Sequence, residues 1–426
     1  MESRITVNRV WLTEGGTRIN YAYQAYGKAA KFFDGRPSFY AKYDTDLSAV
    51  PESMLMIPLV ANLAPIAWFS GASLKVTTLD KRFADSLGEV REIFARDHTS
   101  VGEGDSSLDV ERLVHTPASG PKHAMLFSGG VDAYATFFRH RDENLDLVSI
   151  HGADIPIDDE AQWQTLVDLT AREPVLAPHP KRHIESNLLG FYTYHVNLLV
   201  ESKAWWGTVQ HGLALNALVA PLGNARGYSK VYIASSYTES IQIKWGSTPE
   251  IDNSIAWSGC EIVHDGYELQ RIDKIDLIAT ESEAGAVNIK LRVCYSELNY
   301  GLNCSSCEKC FRTILGISLS GVNPGAYGFS VGSDAYTRIS ELVKCGFATA
   351  GSRYFWWELH ERMLTVPAGD AYLLGSEGDY ERLKNILAQQ LESPVQAKSL
   401  STTKMALIAK FPKLFSIYLS VRRWFS

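Results

Sequence analysis

The chain has 426 residues, 46% of them hydrophobic and 21% charged, with a formal net charge of −7. That length and apolar content suit a folded, multidomain protein and exclude a disordered or fibrous one. The acidic balance argues against nucleic acid, tRNA included, as a broad partner. No run of about eighteen apolar residues offers a membrane span; the nearest, Met54 to Phe69, is interrupted by Pro58, Asn62 and Pro65 and reads as core. The opening MESRITVNRV lacks the basic region and apolar stretch of a secretion signal, so a cytoplasmic location is expected.

In chain order, residues 1–118 carry short runs of mixed polarity, RITVNRVWL, TRINYAYQAY and PSFYAKY, that favour strands and a β-rich or α+β accessory domain. Residues 101–123 gather Gly, Ser, Pro and Asp and read as a linker or exposed loop. The stretch HAMLFSGGVDA (123–133) follows, with Met125 to Phe127 suited to a buried strand, Gly129 and Gly130 to a tight turn, and Asp132 to His140 to a helix. Backbone N–H groups at such a helix start lack intrahelical partners and favour an anion, so a phosphate is the expected ligand.

Leu145 to Ile150 and Ser229 to Ser235 read as further strands, with Ala204 to Leu222 a largely apolar helix between them. The order predicts an α/β fold with a doubly wound parallel sheet. Ligands in such sheets sit beyond the carboxyl ends of strands, which nominates His151, Gly152 and Asp154 after one strand and Ser235, Ser236 and Tyr237 after another. His211 reads as a packing residue rather than a proton carrier. Trp205, Trp206, Phe355, Trp356 and Trp357 read as core, with an aromatic wall that stacks a purine as the alternative.

Cys294, Cys304, Cys307 and Cys310 lie in one short window, VCYSELNYGLNCSSCEKCFRT, and four thiolates so spaced suit tetrahedral zinc. A reducing compartment favours a metal over disulfides. The competing readings are an iron–sulfur cluster on three of the four, or unligated core cysteines. Cys260 and Cys345 have no partner at metal-like spacing and read as buried small hydrophobes.

SGGVD resembles the SGGxDS loop of the N-type ATP pyrophosphatases, the PP-loop group, with Ala133 in place of the final serine. The resemblance implies that Ser128, Gly129, Gly130, Val131, Asp132 and Ala133 hold the pyrophosphate of ATP, with Mg²⁺ bridging the phosphates near Asp132; the strand-end His151 is then the further nucleotide-binding candidate. The late cysteine cluster followed by Arg312 further resembles the cyano-deazaguanine synthases (QueC), over about residues 121–320. It implies zinc on the four cysteines, maps Lys274 in RIDKIDLIA onto a family lysine, so that Asp132 and Lys274 are the catalytic candidates, and sets Asp252 in WGSTPEID at a family aspartate as a substrate contact, beside the strand-end Ser236. QHGLALN (210–216) lacks the arginine of the family's GRN motif, which argues for a different acceptor.

The implied organisation is an accessory domain over 1–118, a PP-loop domain over 119–345 with a zinc-binding insertion at 294–310, and a helical C-terminal region over 346–426. The implied function is ATP-dependent adenylation of a small-molecule carboxylate or deazaguanine-like carbonyl for attack by ammonia or an amine, by a homo-oligomer. The alternatives are conjugation of a deazaguanine to a protein acceptor, a PP-loop tRNA thiolase, and a non-catalytic ATP sensor. From Lys404 the tail is basic and amphipathic, so it either touches the inner membrane surface or docks on its own protein.

Overall fold

The computed structural model describes residues 3–101, 106–118, 120–285, 287, 289–294, 301–347 and 349–391, so the basic tail lies outside the described residues. The N-terminal part supplies β1 (Arg4–Thr13), β2 (Arg18–Tyr26), β3 (Tyr40–Tyr43), α1 (Glu52–Leu55), α2 (Ile57–Ser70), β4 (Ser73–Asp80), α3 (Lys81–Asp97) and β5 (Leu108–Val114). Next come β6 (Lys122–Leu126), α4 (Val131–His140), β7 (Leu145–His151), α5 (Glu160–Arg172), β8 (Lys181–Ser186), α6 (His211–Leu218), α7 (Ala220–Arg226) and β9 (Tyr228–Ala234). The rest is α8 (Pro249–Ser254), β10 (Ala256–Trp257), β11 (Cys260–Asp265), α9 (Arg271–Ala284), α10 (Glu308–Leu319), α11 (Ala335–Cys345), α12 (Ala350–Thr365) and α13 (Glu377–Gln390).

The eleven strands of the described residues form one mostly parallel sheet in the order β10-β11-β9-β6-β7-β8-β3-β2-β1-β4-β5. Strands β11, β9, β6, β7 and β8 run parallel, and β3 joins them by pairing antiparallel with β8, from Ala41 opposite Ser186 to Tyr43 opposite Ile184. The expected boundary near residue 118 therefore falls inside a continuous hydrogen-bonded sheet. One apolar cluster runs from Ile5 through the buried α2 to Ile262, whereas the opposite face of the sheet packs under α4, α9, α10 and the C-terminal helices. Alternation along β6 divides the two, Ala124 facing the first cluster and Met125 the second.

The expected linker over 101–123 is corrected in its middle. Leu108 to Val114 form β5, which pairs parallel with β4 at the edge of the sheet. Its burial pattern is mostly exposed, as befits an edge strand, so the sequence carries little apolar alternation there. The expected helix over Ala204 to Leu222 is interrupted: a wide turn at Trp206–Gln210 with π-type hydrogen bonding precedes α6, and α7 follows. Among the described residues no helix is long and apolar enough to cross a membrane. Cys260 is buried as expected, but Cys345 is exposed at the end of α11.

A polar network ties the far end of α4 to the sheet. His140 contacts Glu143 Oε1 through Nδ1 at 2.7 Å and Asp265 Oδ1 through Nε2 at 3.0 Å, while its ring stacks on Tyr232. Burial opposes the imidazolium, but the bonds to Asp265 and Glu143 outweigh it and raise the His140 pKa. This part of the stability is complete below about pH 6.5, the ordinary histidine value, and is lost as pH rises through the raised one. His140→Gln is therefore expected to cost about 2 kcal/mol near pH 6, on the scale of hydrogen bonds to charged groups. The gap between variant and wild type should narrow toward pH 9 in urea unfolding. A gap independent of pH contradicts the charged bridge.

Candidate active site and metal centre

Strand β6 lies between β7, reached through α4, and β9, reached by a crossover to the other side, so the winding of the sheet reverses at the carboxyl end of β6. Ligands of open α/β sheets bind at such switch points. A cavity of about 500 Å³ opens there, lined by Phe127, Ser128, Gly130, Val131, Asp132 and Ala133 from the β6–α4 connection. Gly129 takes a left-handed φ of 77°, and its carbonyl accepts from Arg292 N at 2.7 Å, which fixes the turn. Gly130 is the N-cap of α4, so the first amides of that helix stand at the cavity.

Four cations line the same cavity, Arg271, Arg292, Lys309 and Arg312. Asp132 joins one of these to a fifth cation: Oδ2 accepts from Arg271 at 2.8 Å and Oδ1 from Lys274 at 3.2 Å. Lys274 is buried and also donates to Ser235 O at 2.6 Å. Burial would raise the Asp132 carboxyl, but Arg271, Lys274 and Arg312 prevail and hold it below its ordinary value. Asp132 thus orders the cations that face an anion, and both of its oxygens are engaged. Glu358 of α12 stands close to Arg271 and Lys274, and burial pushes its carboxyl up to about 7.

Aromatic side chains line the cavity as well. Trp206, His211, Tyr237, Trp245 and Phe355 all line the cavity. His211 lies 5.0 Å from the Trp206 ring and 5.1 Å from Trp245. Burial lowers its pKa, and Nδ1 is enclosed with no hydrogen-bond partner among the described residues. His211 is thus packed between two indoles, as the sequence suggested, and also lines the cavity. Its place is set by the wide turn before α6, where Gln210 donates to Asn62 Oδ1 at 2.6 Å and to Leu188 O at 3.0 Å. Such turns widen a helix locally and recur at functional sites. Gly207 is required there, because a Cβ would stand 2.4 Å from the Trp245 ring.

Of the strand-end residues nominated from sequence, Asp154, Ser236 and Tyr237 line the cavity, and His151, Gly152 and Ser235 are absent from its lining. His151 is buried, stacked on Trp163 at 4.7 Å and bonded through Nε2 to Pro156 O. Asp252 is likewise absent from the lining and is 0% exposed. Its oxygens are taken by Ser247 Oγ at 2.7 Å, His264 Nδ1 at 2.7 Å and Asn216 Nδ2 at 3.2 Å. A carboxylate consumed by protein partners braces the segment carrying Trp245 and has no oxygen turned to a ligand.

The four cysteines of the window converge, with all four sulfurs within 4.8 Å of one another, and could hold a metal ion. Cys294 and Cys307 sulfurs are 3.9 Å apart, Cys304 and Cys310 3.8 Å. A tetrahedral zinc with Zn–S bonds of 2.3 Å separates its ligands by roughly 3.8 Å, so the donor set fits that ion. The Cys307 amide donates to Cys304 Sγ at 3.2 Å, and Ser305 takes a left-handed φ of 54° to close the turn. Asn303 Oδ1 accepts from Val293 N at 3.0 Å, joining the turn to the segment that bears Cys294. Cys307 caps α10, which presents Lys309 and Arg312, while Arg292 precedes Cys294. The cysteine cluster and three of the four cations, Arg292, Lys309 and Arg312, are therefore carried by the same two segments, with Arg271 added from α9.

Arg271, Arg292 and Lys309 escaped the sequence reading because they come from separate elements and no local motif joins them. Arg271 had one usable signal, its position three residues before Lys274 on the same helix face. Comparison with known proteins adds nothing to this picture: no family model, curated protein or solved structure matches the chain.

Proposed function

We propose that the chain is an ATP-dependent adenylating enzyme that activates a carboxylate or similar carbonyl oxygen for attack by ammonia or an amine. One observation carries the reading: the SGGVD turn opens α4 at the switch point of the sheet, inside a cavity that also holds Arg271, Arg292, Lys309 and Arg312. Backbone donors and guanidinium groups in that arrangement suit the phosphates of a nucleotide.

In the proposed reaction the acceptor oxygen attacks the α-phosphorus and pyrophosphate departs toward the 128–132 turn. The nitrogen nucleophile then displaces AMP. The protein contributes mainly by positioning and by neutralising the charge that builds on the leaving group. Mg²⁺, when bound, would add to that neutralisation; Asp154 would hold it, with Asp132 contributing only through oxygens that already accept from Arg271 and Lys274. Zinc on Cys294, Cys304, Cys307 and Cys310 is structural, since four thiolates leave no open position for a reacting group.

Ala133 follows Asp132 on the first turn of α4 and lines the cavity. Ala133→Ser is expected to preserve or raise pyrophosphate release from ATP with a deazaguanine carboxylate and ammonia, since it adds a donor worth about 1–3 kcal/mol to a charged acceptor. If both forms bind ATP and neither releases pyrophosphate with any carboxylate tried, the chain is an ATP sensor instead.

A further inference from the structure

The C-terminal region adds one wall to the cavity, through Thr349, Ser352 and Phe355 at the start of α12. The Phe355 ring is stacked on Tyr237, with centroids 5.5 Å apart and planes 6° from parallel. Two guanidinium groups share that ring: Arg312 Cζ lies 4.4 Å from its centroid and Arg271 Cζ 4.7 Å. They arrive from different elements, α9 and α10. Each is steadied by a carboxylate, Arg271 by Asp132 at 2.8 Å and Arg312 by Glu308 at 3.5 Å. Glu308 is itself held by Trp356 Nε1 at 2.9 Å, from the residue after Phe355.

Two like charges converging on one buried ring repel each other, and the negative face of the ring attracts both. The pair is thereby assembled before any ligand arrives, which is the condition for an effective oxyanion clamp. We propose that Phe355 is a positioning residue that holds Arg271 and Arg312 together to grip the terminal phosphates of a nucleotide. The choice of phosphate rests on the reading of the 128–132 turn as a phosphate site, since that turn opens into the same cavity. It does not require that adenylation occur.

The test is calorimetric titration of the full, zinc-loaded chain with inorganic pyrophosphate, ATP and adenosine. Phe355→Leu keeps an apolar side chain and removes the ring. It is expected to weaken pyrophosphate and ATP about tenfold and leave adenosine unchanged, while Phe355→Trp restores binding. Should Phe355→Leu reduce zinc content or the melting temperature, Tyr237→Leu, which leaves Phe355 in place and removes the ring stacked on it, is expected to weaken pyrophosphate in the same direction. Unchanged pyrophosphate binding in both variants overturns the proposal. So does an equal loss for adenosine, which would make Phe355 a base-stacking residue. Wild-type chain that binds pyrophosphate tightly yet never releases it from ATP leaves the clamp standing and removes the adenylation reading alone.

Discussion

Cys307→Ser is expected to lower bound zinc from one per chain to well below it and to reduce stability in the same step. Binding free energy at a structural zinc site is folding free energy, roughly 10–16 kcal/mol for four ligands in small zinc-binding units. An even share per ligand puts the loss on the order of 3 kcal/mol. Cys307 stands at the N-cap position of α10, so losing the metal tether there also loosens the helix that carries Lys309 and Arg312. ATP affinity should consequently fall although no residue in contact with the nucleotide has changed. Elemental analysis and thermal unfolding before and after chelation check the metal. Iron at cluster stoichiometry, or wild-type chain indifferent to chelators, defeats the zinc assignment.

What could be read from the sequence was what local chemistry dictates. HAMLFSGGVDA gives strand, turn and helix in immediate succession, each with its own signal, and β6, the turn and α4 follow it closely. Leu145 to Ile150 and Ser229 to Ser235 likewise match β7 and β9, because strands buried inside a sheet are written as apolar runs. The cysteine cluster was readable for the same reason, three of its four members lying within one turn and the start of a helix.

What escaped depended on distant partners. Strand β5 is mostly exposed and gains its identity from β4, thirty or so residues earlier in the chain, rather than from its own pattern. His211 has the same residue type and neighbours whether it faces the core or a cavity. Only the wide turn held by Gln210 and Asn62 decides which. Asp252 failed in the opposite sense: a motif position nominated it for substrate, and Ser247, Asn216 and His264, invisible as a group in the sequence, absorb its oxygens. The cationic wall assembles from α9, the segment before Cys294 and α10, so its charge is a tertiary property hidden within an acidic total.

Substitution in the 128–132 turn should separate binding from folding, and the two glycines differ in what they can report. Gly129 has a φ of 77°, a region that costs an ordinary residue about 1–2 kcal/mol, so any side chain there strains the turn as well as crowding it. Gly130 is the cleaner probe. Its φ of −82° and ψ of 173° suit any residue, and an added Cβ would meet only Ser128 Oγ at 3.4 Å and Arg292 O at 3.5 Å. Gly130→Ala is therefore expected to leave melting temperature and zinc content near wild type. Gly130→Leu should place a bulky group at the mouth of α4, where a phosphate must approach the helix amides closely. The expected result is a loss of ATP affinity of about a hundredfold or more for leucine, close to 3 kcal/mol, with alanine between the two. Titration of each variant with ATP measures it directly. Leucine at 130 binding ATP as tightly as wild type, in a chain that still melts normally, would show that the phosphates lie elsewhere and that the turn serves only to join β6 to α4.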